Sequence, residues 1–212
     1  RTMLRQTISL GRKKQRPAFE GLRQAADAEG RDTASDQAVR AASKEVAALL
    51  APCREMVASW SLPENPAPYI KGLRTTYKAA RSTLGRGLDT RLPYELHEAR
   101  KRVIHWRYQL DLFTGLWPRV LKATVRELQA LREDLGQHND LVLLETRIHA
   151  AERGFAGISD VDAFLDAITV LRARRVQSAR YREKLLFSDT PDMVASRLSV
   201  WWAAAGTRKF IH

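Results

Sequence analysis

The residues whose types and spacing best suit chemistry are basic, and they lie in residues 96–110. A helix turns about 100° per residue, so it would place several of these side chains along one arc. That arc holds His97, Arg100, Lys101, Ile104, Arg107 and Tyr108. Arginine donates forked, charge-assisted hydrogen bonds to phosphate or carboxylate oxygens, and lysine supplies a point charge. The pattern therefore predicts a surface that binds an anion.

A second basic stripe precedes the first one in the chain. Arg74, Lys78 and Arg81 stand at helical spacing, with few acidic residues placed to neutralise them. Like charges at this spacing destabilise a helix by a few tenths of a kcal/mol per pair. If the stripes of neighbouring helices face a shared groove, they repel each other unless an anion lies between them. We therefore expect these side chains to converge on one interior channel.

The overall charge supports a polyanionic partner. The 212 residues include 36 lysines and arginines against 24 acidic residues, which gives a net charge of +12. Such an excess points to nucleic acid, an anionic membrane or another polyanion. The 44% of hydrophobic residues suffices for a folded core. No apolar run approaches the roughly 18–20 residues that span a bilayer, so no membrane partner is predicted.

The sequence offers few of the motifs that catalysis requires. Neither the P-loop pattern G-x-x-x-x-G-K-S/T nor the zinc motif H-E-x-x-H occurs. Cys53 is the single cysteine, which excludes a disulfide framework and fits a reducing, cytoplasmic compartment. Glu95, Glu98 and Asp111 are interpreted as ion-pair partners rather than metal ligands. We therefore predict no catalytic residues, no cofactor and no metal.

Helical periodicity must position these residues, because strand signals are scarce. The helices are expected at about 2–30, 33–50, 67–85, 93–114, 118–135, 140–152, 160–187 and 190–203. Gly85 and Gly87 are predicted to end one helix, and residues 136–140 to form a tight turn that places His138 before a helix N-terminus. Long helices joined by short loops predict antiparallel bundles in an all-α fold.

The proline-rich residues 61–68 are the best internal boundary. They divide a single domain over 1–212 into an N-terminal helical half, 1–60, and a C-terminal half, 67–203.

The same periodicity predicts which side chains form the core. One face of the helix over 93–114 is apolar, and it consists of Leu96, Ala99, Val103, Trp106, Leu110 and Phe113. The aromatic residues Trp117, Trp201 and Trp202 are also predicted to be core residues rather than a stacking platform.

Several motifs resemble those of the CHAD family, the conserved histidine α-helical domains. HEARKR at 97–102, followed by Arg107 and Tyr108, is similar to the signature of that family. GLRTTYKAAR at 72–81 resembles the preceding helix, and LGQHNDL at 135–141 resembles a G-x-x-H/N-D-L turn. The resemblance covers about residues 67–203.

The resemblance implies a fold and a function. The fold would be two pseudo-symmetric four-helix bundles around a basic central channel. The function would be non-catalytic binding of inorganic polyphosphate, with association with polyphosphate granules as one role. The implied binding residues are His97, Arg100, Lys101, Arg107, Arg74, Lys78, Arg81, His138, Arg1, Arg5, Lys122 and Arg126. Arg1 and Arg5 are expected to end an N-terminal copy of the signature whose histidine lies upstream. Ile104 departs from the family, which often has a basic residue there.

Two other functions remain open at this point. The first is a basic helical protein that binds nucleic acid, although no helix-turn-helix signature and no interleaving of aromatic and basic residues is present. The second is a phosphatase or kinase subunit that acts on polyphosphate. In the preferred interpretation, polyphosphate is the partner, sulfate or phosphate can substitute for it, and nucleic acid is only a nonspecific competitor. The oligomeric state is not predicted.

Overall fold

The computed structural model describes residues 36–61, 64–150 and 161–207, and in these ranges it contains six α-helices and no strand. The helices are α1 (Asp36–Ala58), α2 (Ala67–Thr90), α3 (Pro93–Asp111), α4 (Pro118–His149), α5 (Val161–Leu186) and α6 (Pro191–Thr207). The predicted all-α class is confirmed. The helix expected over 2–30 lies outside the described residues, and so do Arg1 and Arg5.

Helices α2 to α5 form a bundle in which each helix packs on the next one in the chain. Helix α5 packs back on α2 and closes the ring, and α6 packs on α2, where its Val194 and Leu198 join the same core. Short connections join α2 to α3 and α3 to α4, so these neighbours run antiparallel. The described residues thus contain one four-helix bundle. A second, pseudo-symmetric bundle is not confirmed.

The predicted apolar face of α3 forms part of the core. Leu96, Ala99, Val103, Trp106 and Leu110 are buried, and Phe113 packs against them from the end of the helix. Full burial of such a side chain contributes about 1.5–3 kcal/mol for the larger residues. This burial fixes the rotation of α3 about its axis. The rotation in turn decides which way the side chains on either side of the apolar face point.

The remaining aromatic residues gather at one end of the bundle instead of in its centre. Trp117 and Trp201 pack edge to face with ring centroids 5.4 Å apart, and Trp202 packs on Phe113 at 6.0 Å. Trp117 remains 42% exposed. The prediction of core positions is therefore correct for Trp106 but wrong for Trp117, because the bundle ends at this point and covers only one side of the ring.

Helix α1 stands apart from the bundle. It contacts none of the other described helices, and apolar residues such as Leu49 are exposed. It also continues past the predicted end at residue 50 and contains Pro52 in its interior. Proline there loses one backbone hydrogen bond but does not end the helix.

Helix α2 does not end at Gly85 and Gly87 as predicted. It continues to Thr90, and Arg91 then adopts a left-handed conformation with φ 57°. Gly87 instead allows α3 to approach closely, because a Cβ atom there would lie 3.0 Å from the Glu95 carbonyl oxygen. Glycine therefore occupies position 87 because α2 and α3 pack closely there, and not because α2 ends there.

Helix α4 is continuous through the segment predicted to be a turn. Gly136 and His138 both lie inside it, and the two helices expected over 118–135 and 140–152 are one. Neighbouring helices explain both residues. An Arg100 nitrogen would lie 3.2 Å from a Cβ atom at Gly136, and the His138 side chain is buried. These tertiary contacts stabilise helix where the local residue types favour a turn.

Substitution of Gly87 tests the close contact between α2 and α3. We expect Gly87→Ala to lower the free energy of unfolding by about 1–3 kcal/mol, because the added methyl group would overpack the interface. Gly85→Ala is the matched control in the same helix, since a Cβ atom at Gly85 would meet no other atom within 4 Å. The control should gain up to about 1 kcal/mol from helix propensity. Urea unfolding measures both, and equal stability of the two variants would contradict the close approach.

Candidate functional site

The packing of α3 turns its basic arc toward α4. The core face of α3 is buried, and Arg100 and Arg107 occupy the flank beside it, about 20° apart around the helix axis. The Arg100 guanidinium lies against the backbone of α4 at Gly136, with Nε 3.2 Å from the position of a glycine Cβ. Glycine is the residue that leaves room for this side chain.

Both of these guanidinium groups have an unusual environment. The Nε atoms of Arg100 and Arg107 are shielded from solvent, and neither has a hydrogen-bond acceptor among the described residues. A buried donor without a partner costs about 1–3 kcal/mol, and more when it carries charge. The Arg107 guanidinium also lies over the Tyr108 ring, 4.3 Å from its centroid. These groups are therefore held in place while their hydrogen-bonding capacity is unused.

Helix α4 adds further basic residues to the same side. Arg132 lies one turn before Gly136, and Lys122 lies within about 40° of Gly136 around the axis. Arg126 lies about 80° away, farther toward solvent. We call this surface the α3–α4 face, and its basic residues are His97, Arg100, Lys101, Arg107, Lys122, Arg126 and Arg132.

Few acidic groups compensate this charge. Lys101 forms an ion pair with Glu98, which lowers the pKa of that carboxyl group. Glu133 and Asp140 also lie on the outer side of α4, but neither forms an ion pair with a residue of the face in the described ranges. Glu133 instead accepts a hydrogen bond from Gln129 at 2.7 Å. The face as a whole keeps a positive excess.

The basic stripe of α2 lies elsewhere. Arg74 donates to Asp192 at 2.7 Å, and Arg81 donates to the Phe187 carbonyl oxygen at 2.9 Å. The Arg74 guanidinium lowers the pKa of the Asp192 carboxyl group. Lys78 is exposed beside this pair. The structure therefore brings Arg74, Lys78 and Arg81 to the connection between α5 and α6, and does not bring them to the α3–α4 face.

Helix α5 is rich in arginine, and four of its five arginines are paired, the exception being the exposed Arg174. Arg182 donates to the buried Asp134 carboxylate at 2.7 Å, and Arg175 lies 3.5 Å from the same group. Arg172 pairs with Glu145. These contacts join α5 to α4, so this positive charge is used to hold the bundle together.

His138 differs most from its predicted placement. The sequence predicts a turn before a helix N-terminus, but His138 lies in the interior of α4 with only 3% of its surface exposed. Burial, with the charge of Arg172 as a smaller cause, lowers its pKa from 6.5 to about 4. The imidazole is therefore neutral at pH 7. It lies on the side of α4 toward α5, away from Gly136.

Sequence reasoning missed one basic residue of the face. Arg132 is four residues before Gly136, and this spacing puts both on one side of a helix. Because a turn is predicted at residues 136–140, the sequence does not place Arg132 and Gly136 in the same helix.

Neither a metal centre nor a membrane span is found in the part of the chain that the structure describes. No three histidine, cysteine or acidic side chains are grouped there as ligands for a metal ion. None of the helices in these ranges has the length and apolar character needed to cross a membrane.

Comparison with protein families gives one match. The family model described as CHAD domain matches residues 2–149. The match begins upstream of the residues that carry the resemblance seen in the sequence, and it includes the whole α3–α4 face. Searches of characterised proteins and of solved structures gave no significant match.

The buried His138 should make stability depend on pH. The unfolded chain takes up a proton on this histidine near pH 6.5, whereas the folded chain does so only near pH 4. The unfolded state thus binds more protons between these values, and stability falls as pH falls. We expect a loss of about 2 kcal/mol between pH 7 and pH 5, measured by urea unfolding.

A pair of histidine variants separates this effect from general acid sensitivity. His138→Gln should largely remove the loss between pH 7 and pH 5. The exposed His105→Gln should retain it. An unchanged pH dependence in His138→Gln would show that other groups cause it.

Proposed function

The chain belongs to the CHAD domain family, and on that basis we propose that its α3–α4 face binds inorganic polyphosphate. The observation that carries the proposal is the pair of shielded, unpartnered Nε atoms of Arg100 and Arg107. The arginines of α2 and α5 discussed above have carboxylate or carbonyl partners. Arg182 Nε on α5 is also shielded without an acceptor, but Asp134 neutralises that guanidinium, whereas Arg100 and Arg107 have no carboxylate partner among the described residues.

The chemistry of the ligand fits this arrangement. Polyphosphate carries about one negative charge per phosphate and has no bases to be read, so recognition needs repeated phosphate contacts. Arg100 and Arg107 are seven residues apart, so they lie about 10 Å from each other along the axis of α3. Arg100 and Arg107 on α3 and Arg132 on α4 offer a row of donors along the line where the two helices meet. A flexible polyanion could follow that line.

The face is less suited to single-stranded nucleic acid. Recognition of single strands without sequence preference relies on aromatic rings that stack on the bases. Tyr108 is the exposed aromatic residue of the basic arc, and the Arg107 guanidinium covers one side of its ring. Duplex DNA remains a competitor through charge alone.

We propose binding without a chemical step. Glu98, the acidic residue next to the signature arginines, is paired with Lys101 and has a lowered pKa, which suits an ion-pair partner rather than a general acid. Targeting to polyphosphate granules is the role that this binding would serve. Incubation with polyphosphate and Mg²⁺ should leave the chain length of the polymer unchanged, and shortening would favour the phosphatase alternative.

Removal of the two unpartnered arginines tests the site. We expect Arg100→Gln combined with Arg107→Gln to weaken polyphosphate binding by about tenfold or more, since a hydrogen bond to a charged group contributes about 1.5–3 kcal/mol. The measurement is a titration with long-chain polyphosphate. Unfolding curves should show that the variant retains its stability, because the lost Nε atoms have no acceptor among the described residues.

The matched control loses the same charge elsewhere. Arg102→Gln combined with Arg174→Gln removes two exposed arginines that lie off the face, one on α3 and one on α5. It should change the affinity by less than about twofold. Equal losses in the two double variants would mean attraction by diffuse charge and would contradict a defined site.

A salt titration gives a second readout. Each lost phosphate contact should lower, by about 0.7, the slope of the logarithm of the binding constant against the logarithm of the salt concentration.

A competition experiment tests the identity of the polyanion. Long-chain polyphosphate and duplex DNA of matched total charge are titrated against the protein at physiological salt. We expect polyphosphate to bind more tightly, because its backbone is flexible enough to follow the row of donors whereas a duplex is stiff. A preference for DNA of about tenfold would favour the nucleic-acid alternative.

A further inference from the structure

A cleft of about 560 Å³ lies between the end of α2, the middle of α4 and the face of α5. It is on the side of α4 away from Gly136 and the α3–α4 face. Its walls include apolar side chains, namely Leu88, Ala173 and Val176. The volume lies within the range of small-molecule pockets, and the apolar walls distinguish it from the strongly basic face.

A buried polar group without a partner lines this cleft. His138 is 3% exposed, and none of the described residues makes a hydrogen bond with its ring. The ring is neutral at pH 7, because its pKa is lowered to about 4. A neutral imidazole offers one N–H donor and one acceptor nitrogen. Unlike Arg100 Nε, the ring nitrogens of His138 are not shielded atoms without a partner, and they remain accessible to a ligand that enters the cleft.

The positive charges around the cleft are mostly compensated. Arg172 pairs with Glu145, and Arg180 pairs with Asp89 at 2.6 Å. Arg91 has no acidic partner in the part of the chain that the structure describes. Two of the three arginines are thus compensated, which leaves about one positive charge for a ligand. That is enough for one anionic group and poorly suited to a polymer with many charges.

The backbone of Arg91 gives an independent observation. This residue follows the last turn of α2 in a left-handed conformation, φ 57° and ψ 16°, and its amide donates to the Gly87 carbonyl oxygen. Glycine is preferred at such a position, because a side chain there costs roughly 1 kcal/mol. An arginine side chain lines the cleft at the expense of this local preference.

We infer that this cleft binds a small organic anion, with one phosphate or carboxylate group at Arg91, a hydrogen bond to the His138 ring, and an apolar body against Leu88, Ala173 and Val176. The inference does not depend on polyphosphate binding, because the cleft and the α3–α4 face lie on different sides of α4.

Titrations with four probes test the class of ligand. Phenyl phosphate and benzoate carry the two candidate head groups on the same ring, inorganic phosphate lacks the apolar body, and benzyl alcohol lacks the charge. The readout is the NMR signal of the His138 ring in the full chain. We expect at least one of the two ring-bearing anions to shift it saturably, and to bind about tenfold or more tightly than inorganic phosphate or benzyl alcohol. Comparison of the two identifies the preferred head group.

Arg91→Gly is the decisive variant. Glycine suits the left-handed conformation, so the fold should be retained or slightly stabilised while the cation is lost. Affinity for the preferred anion should fall about tenfold or more. Arg174→Gln is the matched control, since it removes one exposed positive charge from α5 outside the cleft. It should leave the affinity unchanged. Ala173→Phe should block the cleft without any change in charge.

Several outcomes would overturn the inference. They are the absence of a saturable shift of the His138 signal with both ring-bearing anions, equally tight binding of inorganic phosphate, and equal losses of affinity in Arg91→Gly and Arg174→Gln.

Failure of this inference is distinguishable from failure of the polyphosphate site. Arg91→Gly should leave polyphosphate binding intact, and the Arg100→Gln and Arg107→Gln double variant should leave the cleft intact. If Arg91→Gly abolished polyphosphate binding, the cleft would belong to the polymer path and the inference would be wrong.

Discussion

The contact between Arg100 and the backbone of α4 at Gly136 determines how this protein presents its charge. A Cβ atom at position 136 would lie 3.2 Å from Arg100 Nε, so the arginine side chain would have to shift by a few tenths of an ångström. The Nε atoms of Arg100 and Arg107 are shielded from water, and neither has a hydrogen-bond acceptor among the described residues. The apolar arc of α3 fixes the rotation that makes this possible, since its five buried residues can face the core in only one way.

The positions of the carboxylates, as much as the excess of positive charge, decide which cations remain available to an anionic ligand. The sequence carries a net charge of +12, yet arginines of α2 and α5 are bound by Asp192, Asp134, Glu145 and Asp89. These pairs tie helices together, and the more exposed of them, such as Arg74–Asp192, contribute little free energy. On the α3–α4 face, Arg100 and Arg107 have no acidic partner in the described ranges, as also holds for the scattered, exposed Arg91, Arg102 and Arg174. A polyanion would therefore find one surface where arginine donors are already oriented and have no competing partner.

Helix α4 separates two chemically different environments. On one side, Gly136 faces Arg100 and an open, strongly basic surface. On the other side, His138 is buried, neutral and adjacent to a cleft with apolar walls and about one uncompensated cation. The two residues are only two positions apart, which turns their side chains about 200° from each other. Residues 136–138 thus contribute to two surfaces of different polarity, one strongly basic and one with apolar walls.

The sequence by itself determined the all-α class, the starts of most helices and the core face of α3. These features are local, since prolines at helix starts and a 3.6-residue apolar period act within a few turns. It also determined which residues of α3 are basic and share an arc. Only the tertiary structure decided which cations are free, because the partners of Arg74 and Arg81 lie 118 and 106 residues away in the chain. The same holds for Gly87, Gly136 and His138. Local residue types favour a helix end or a turn at these positions, but contacts with α3 and α5 stabilise continuous helix there.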